Sequence, residues 1–190
     1  IDILAAANNA SNEVASITKR SMNGELDFFE SLTARVKFLK GMPLSKADEI
    51  CKNLPIMPGA SELITALKQK GVKVVVFSGG FHIANDKMQE KLKFDANFAN
   101  ILHHKDGILT GEVGGEMMFG SSKGEMIDRL KGLLNLDKSE IMCVGDGAND
   151  VSMFRKCDLK IAFCAKEILK KEATHCVDIK DLREILKYIR

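Results

Sequence analysis

The chain has two halves with different hydrophobic periodicity. Residues 1 to about 54 read as helical, and no β-rich run appears among them. Met22-Asn23-Gly24 breaks two helical stretches, Gly41-Met42-Pro43 ends the second, and Ser45 is placed to cap a third that carries Ile50 and Leu54. Phe28, Leu32, Arg35 and Leu39 follow one another at +4, +3 and +4, so the arginine shares an apolar helix face. A small helical lobe over residues 1–57 is the expectation.

From Pro58 onward helices and strands alternate. A helix is expected from about Ser61 to Lys70, stopped by Gly71. The run Val72–Phe77 reads as a buried strand and Phe81–Leu92 as a helix. Phe98–Leu102 and Ile108–Val113 read as strands joined through a hairpin turn at Lys105-Asp106-Gly107. Lys123–Leu134 is expected helical, Ile141–Val144 a strand, Val151–Arg155 a short helix, Leu159–Phe163 and His175–Ile179 strands, and Asp181–Ile189 a closing helix. Alternation of this kind predicts an α/β core over 58–190, with a parallel sheet, helices on both faces and a β-hairpin near 98–115.

Composition excludes more than it selects. A net charge of +2 on 190 residues, with Lys and Arg spread along the chain, gives no electrostatic case for nucleic acid or a membrane surface. No apolar run approaches a transmembrane span and no signal peptide is visible. The five cysteines (Cys51, Cys143, Cys157, Cys164 and Cys176) form no C-x-x-C, and Cys143 and Cys164 lie inside apolar runs. That usage points to a reducing cytosol and away from a disulfide framework or a zinc site. None of the four histidines has a metal-ligand spacing.

The stretch Ile141 to Phe154, I-M-C-V-G-D-G-A-N-D-V-S-M-F, carries the densest chemistry. A short strand runs into a Gly-Asp-Gly turn, and ligands of open α/β sheets bind at such strand ends. Asp146 and Asp150 there suit a hard, oxygen-seeking cation such as Mg²⁺. Alone, such a turn reads equally well as a polar turn with a helix cap. Ser78-Gly79-Gly80 follows the strand ending at Phe77, and a hydroxyl with backbone N–H groups at a strand end can cradle a phosphate, although alone the three residues read as a turn. Lys123 opens a helix, where a cation is locally unfavourable, which hints at an anionic partner, although alone it reads as a solvated lysine; its removal is expected to leave stability nearly unchanged. Arg35 is read either as an arginine snorkelling to solvent or as a fork facing a cleft, ready for a carboxylate. Together these groups match the needs of phosphoryl transfer.

The ordered set Ser78-Gly79-Gly80, Lys123 and Gly145-Asp146-Gly147-Ala148-Asn149-Asp150 resembles motifs two, three and four of the haloacid dehalogenase superfamily. Almost the whole chain resembles that superfamily's phosphoserine phosphatase branch, through Ile17–Phe28, Val76–Phe81, Gly145–Phe154, Leu159–Lys166 and Asp181–Ile189. The resemblance implies a Rossmann-like parallel sheet with a helical-bundle cap, and hydrolysis of L-phosphoserine to serine and phosphate through an aspartyl-phosphate. It implies that Asp146 ligates Mg²⁺ with Asp150 in or near the outer sphere. Ser78 and Gly79 would hold the phosphoryl group, Lys123 would neutralise it, and Asn149 would bind nearby. Arg35 would grip the substrate carboxylate, with Met22 and Phe28 walling the pocket.

One motif of the family is not present. The chain contains no D-x-D. The nucleophilic aspartate, and the central first strand that carries it, are expected upstream of Ile1. Two other readings stay open: a phosphatase or phosphotransferase acting on another small phosphomonoester, and a non-catalytic protein that binds a phosphorylated metabolite. The assembly is open between a monomer and a homodimer.

Overall fold

The computed structural model describes residues 1–22 and 25–189. The expected break at Asn23-Gly24 and the expected pocket wall from the Met22 side chain lie outside what is described. The elements in chain order are α1 (Asp2–Ala7), α2 (Ser11–Met22), α3 (Phe28–Val36), α4 (Leu44–Lys52), α5 (Ala60–Gln69), β1 (Val75–Phe81), α6 (His82–Leu92), β2 (Ala96–Lys105) and β3 (Ile108–Gly115). They continue with α7 (Ser122–Leu134), β4 (Met142–Gly145), α8 (Val151–Phe154), β5 (Leu159–Phe163), α9 (Glu167–Lys170) and β6 (His175–Val177). Contacts group them into two units, Ile1–Pro55 with Val74–Phe119, and Ile56–Lys73 with Gly120–Arg190.

In the first unit the helices and the strands share one core. Leu4, Val14, Leu32, Val36, Leu39 and Met42 from the helical segment are buried together with Phe81, Leu102, Leu109 and Met118. The sheet order is β1-β2-β3, with β1 parallel to β2 and β2 antiparallel to β3. The hairpin closes at Lys105↔Ile108 as expected, with φ of 50° at Asp106 and 76° at Gly107. Two successive positive φ values make the tight turn whose twist suits a hairpin, and glycine adopts one at no steric cost. β1 departs from expectation by running through Ser78-Gly79-Gly80 to Phe81. Phe77 pairs with Phe98 and Phe81 with Asn100, so β1 advances four residues while β2 advances two. The Ser-Gly-Gly segment is therefore a bulge inside the ladder rather than a turn after it.

Two helix starts show how local chemistry sets this unit. Asp27 caps α3: its side chain accepts the Glu30 N–H at 2.7 Å, and the Glu30 carboxylate accepts the Asp27 N–H at 3.1 Å. This reciprocal box satisfies two otherwise orphaned donors. The expected Ser45 cap of α4 does not form, because α4 begins at Leu44, two residues earlier than that cap implies, and Pro43 occupies the cap position. The Leu44 N–H instead donates to the Gly107 carbonyl at 2.8 Å, so the hairpin turn does the capping.

The second unit holds β4-β5-β6, all parallel, in register from Met142↔Leu159 to Phe163↔Val177. Leu63, Ile64, Leu67, Ile127, Phe154, Ile161, Leu169 and Ile185 are buried. α5 ends at Gly71 as expected: φ is 75°, Val72 N–H donates to Leu67 O at 3.0 Å, and Gly71 N–H donates to Lys68 O at 2.9 Å. That pair of bonds is the Schellman stop. The expected closing helix is a 3₁₀ run over Leu182–Tyr188, anchored where Leu182 N–H meets the Pro58 carbonyl at 2.8 Å. Cys164 is exposed, not part of the core as its apolar neighbours suggested; it leaves β5 at a φ of 45°. β1 and β4 are each an outer strand of their own sheet. No described helix is long and apolar enough to cross a membrane.

The Asp27 box sets where α3 starts and hence where Phe28 stands. Asp27→Ala is expected to cost about 1 kcal/mol of stability, read from urea unfolding at neutral pH.

Candidate active site

In the second unit the chain after β4 folds around one carboxylate. Asp150 is only 2% exposed. Its Oδ2 accepts the N–H of Asp146 at 2.8 Å and of Gly147 at 3.0 Å, while Oδ1 accepts from Lys123 Nζ at 2.5 Å. Asp150 thus staples the Gly-Asp-Gly loop to the start of α7. Two glycines make room for it. A Cβ on Gly145 would stand 2.5 Å from Asp150 Oδ2, and one on Gly124 would stand 2.6 Å from the Ser152 carbonyl oxygen. The second contact draws the first turn of α7 onto α8 and carries Lys123 inward.

Lys123 is therefore neither solvated nor free. It is 9% exposed and paired, unlike the solvated lysine that its place in the sequence alone suggests. The reason was not local: its partner lies 27 residues away. Of the lysine's three donors one goes to Asp150, leaving others for a ligand.

Asp146 stands at the end of β4 with its side chain open to solvent. Partial desolvation by the surrounding protein, and then the like charge of Asp150, push its carboxyl above the ordinary aspartate range, with Lys123 pulling the other way. An anion so placed accommodates a cation. Both Asp150 oxygens already accept hydrogen bonds, which leaves Asp146 the more available carboxylate. No group of three His, Cys, Asp or Glu side chains is gathered for a metal among the described residues. One available carboxylate suits Mg²⁺, which keeps several waters and shares phosphate oxygens, better than a metal caged wholly by protein. Asn149 is half-buried on the same loop, its Oδ1 3.0 Å from where a Gly147 Cβ would be.

In the first unit the Ser78-Gly79-Gly80 bulge meets the start of α3. Ser78 Oγ accepts the Gly80 N–H at 3.0 Å, which leaves its own O–H to donate elsewhere. The Phe28 ring lies on Gly79: a Cβ there would be 2.7 Å from Phe28 Cζ. Arg35, two helical turns along α3, is half-buried, and its Nε donates to the Ser31 carbonyl at 3.1 Å. Burial pulls its guanidinium below the usual arginine range, with Asp2 opposing. Among the described residues Arg35 forms no ion pair with an acidic side chain.

Each unit thus gathers a subset of the expected residues: Ser78, Gly79, Phe28 and Arg35 in one, Lys123, Asp146, Asn149 and Asp150 in the other. Sequence reasoning missed Asn100, which is fully buried on β2 and donates to the Gly79 carbonyl at 3.3 Å. Its one signal was a carboxamide inside the otherwise apolar run Phe98-Ala99-Asn100-Ile101-Leu102.

Removing one partner of a buried ion pair strands the other. Lys123→Ala is expected to lower stability by about 3 kcal/mol. Lys156→Ala, which breaks a surface pair with Asp128, is expected to cost under about 1 kcal/mol. Parallel urea unfolding of the two variants makes the comparison.

Residues 1–158 match the model of the haloacid dehalogenase-like hydrolases. The chain is 58% identical over 189 residues to the phosphoserine phosphatase of Campylobacter jejuni subsp. doylei, covering 100% of this chain and 91% of that one. It is similar to a solved structure described as a phospho-aspartyl intermediate analogue of phosphoserine phosphatase, at a TM-score of 0.94 and 47% identity, over 100% of this chain and 90% of the other. A substrate-bound phosphoserine phosphatase complex matches with the same TM-score, 0.94, identity, 47%, and coverage, 100% and 90%. With the mixed α/β architecture and the motif loops in place, the chain belongs to the haloacid dehalogenase-like hydrolases, in the phosphoserine phosphatase family.

Proposed function

We propose that the protein hydrolyses L-phosphoserine to L-serine and phosphate, by way of an aspartyl-phosphate. The observation that carries the substrate choice lies on α3. One end of the helix seats Phe28 on the glycine of the phosphate-type loop; roughly 10 Å further along the axis stands Arg35, half-buried, with Asp2 acting on its charge but no ion pair formed among the described residues. A ligand bearing both a phosphate and a carboxylate suits that helix. The full-length similarity to phosphoserine phosphatases supports the same reading.

In this reading residues 58–190 supply the chemistry and the lobe of residues 1–57 supplies selectivity. The Ser78 hydroxyl and Gly79 N–H donate to the phosphoryl oxygens. Lys123, held by Asp150, offsets negative charge that grows as the phosphoryl group is transferred. Asn149 binds beside the phosphate and Arg35 binds the substrate carboxylate. An aspartate expected upstream of Ile1 attacks phosphorus, serine leaves with a proton from a neighbouring acid, and water then splits the acyl phosphate. Asp146 would hold Mg²⁺, which supplies positive charge to the phosphoryl oxygens and the nucleophile. Phe28 keeps solvent off Gly79 by covering it. A small phosphorylated amino acid needs no nucleic-acid or membrane partner, and a cytosolic setting fits the cysteine usage.

Two variants test the assignment in the full-length protein. Mg²⁺ is expected to raise the melting temperature of the wild type and to leave Asp146→Asn unmoved and inactive. The sign without metal follows from Asp146's raised carboxyl. Ionisation costs the folded state stability above the ordinary aspartate range, so at neutral pH the metal-free variant melts no lower than wild type. A Mg²⁺-dependent rise retained by Asp146→Asn removes the residue from the metal site.

Arg35→Ala is expected to cut kcat/KM for phosphoserine roughly ten- to a hundredfold, the worth of one charge-assisted pair. Phosphoethanolamine, which lacks the carboxylate, should lose little. Equal losses on both substrates overturn the carboxylate role.

A further inference from the structure

We propose that Asn100 is a positioning residue for the phosphoryl-binding loop: it latches the Gly79–Gly80 peptide plane, and so keeps Ser78 and Gly79 set for a phosphoryl group. The proposal rests on the phosphatase reading above. It deepens that reading by naming what holds the loop in shape.

The bulge needs such a latch. Two extra residues leave the ladder between Phe77 and Phe81, and two of the three in the bulge are glycines. A peptide flanked by glycines on both sides has no Cβ to restrain its rotation. The ladder resumes at Phe81↔Asn100, so the asparagine stands where the bulge closes. Its Nδ2 donates to Gly79 O at 3.3 Å and to Met117 O at 3.1 Å, and its Oδ1 accepts from Met117 N–H at 3.0 Å. On the other side of the same peptide, Gly80 N–H donates to Ser78 Oγ at 3.0 Å. The Gly79 carbonyl and the Gly80 N–H belong to one rigid plane. Two side chains therefore hold that plane from opposite ends, and a flip would break both bonds and bury an unpaired group.

The latch is itself braced. The Asn100 carboxamide grips both backbone groups of Met117, as a neighbouring strand would. Met117 is 1% exposed, and two residues on Phe119 stacks against Phe29 at 5.2 Å. Phe28, adjacent to Phe29, returns the chain of contacts to Gly79. Burying a carboxamide is costly unless its bonds are satisfied, and here both of its ends are engaged.

The bonding pattern makes Asn100→Asp diagnostic. The variant keeps the volume and the bond from Met117 N–H, but turns oxygen toward two carbonyls. Asn100→Ala removes the latch without adding charge. Leu109→Ala serves as the control, since Leu109 is 2% exposed in the same unit's core and takes part in none of the hydrogen bonds of the latch. The probes are inorganic phosphate, titrated while the Gly79 and Gly80 amide resonances are followed by NMR, and phosphoserine kinetics, all on the full-length protein. Both Asn100 variants are expected to weaken phosphate binding and raise KM by roughly tenfold or more, as small misplacements of binding groups do. Leu109→Ala should lower the melting temperature with phosphate affinity unchanged. Phosphate affinity within about twofold of wild type in Asn100→Asp and Asn100→Ala, beside a lowered melting temperature, overturns the latch. Phosphate that leaves the wild-type Gly79 and Gly80 resonances unmoved overturns the phosphatase reading of the loop, and the latch with it. If the variants do not fold, the wild type still decides. The Asn100 side-chain amide protons should exchange slowly with and without phosphate, and fast exchange overturns the latch.

Discussion

The chemistry of the second unit depends on a lysine and an aspartate that are buried together. Taking two charges out of water costs several kcal/mol for each ion before their attraction is counted. A hydrophobic pair of similar size would hold α7 against the loop as well or better. What an apolar pair cannot do is keep a positive charge beside a loop with an exposed carboxylate. Asp150 uses its second oxygen on the Asp146 and Gly147 N–H groups, so the same residue orients the lysine and shapes the loop. The roles are divided between the two aspartates by environment. Asp150, buried and fully bonded, is a structural anion. Asp146, exposed and pressed by that anion, is the more available of the two.

The first unit solves a different problem. Its candidate phosphoryl-binding groups, Ser78 and Gly79, offer a hydroxyl and backbone rather than charge, and backbone groups are only as well placed as the ladder they sit in. β1 departs from its register at Ser78-Gly79-Gly80 and recovers it at Phe81. The departure is tolerable because side chains of β1 and β2 satisfy the displaced plane. Phe28 adds the apolar half, using the space that Gly79 leaves by having no side chain. Arg35 rides the same helix, so the capping box at Asp27 sets where both Phe28 and Arg35 stand.

Much of this was legible in the chain, for reasons that differ by residue. Hydrophobic period placed α5, α6, α7 and β5 within a residue or two, since burial of one face is what each element needs. Turn chemistry placed Gly71 and Asp106-Gly107, where a positive φ leaves few choices. The strand-end loop at Gly145–Asp150 was readable because glycine and aspartate together are informative. Pairings between distant segments were not. Ser78-Gly79-Gly80 looks like a turn in one dimension, and becomes a bulge only because β2 continues alongside. Pro43 displaced Ser45 as the cap because a hairpin turn 63 residues on, at Gly107, supplied the missing acceptor. Lys123 looked solvated because its partner lies on another element.

The same limit explains the glycines. Gly79, Gly124 and Gly145 could each be read as loop residues, yet each stands where another group occupies the place of a Cβ: a phenyl ring, a backbone carbonyl and a carboxylate. A missing side chain is visible in sequence; what fills its place is not. All three fillers adjoin candidate site residues: Phe28 covers Gly79, Ser152 seats the start of α7 that carries Lys123, and Asp150 holds Lys123. Alanine at any of these positions would therefore act at a distance from itself. It would push the ring, the helix or the carboxylate off its mark while leaving every expected functional side chain present. Precision at this kind of site is set as much by where the chain omits atoms as by the groups it supplies.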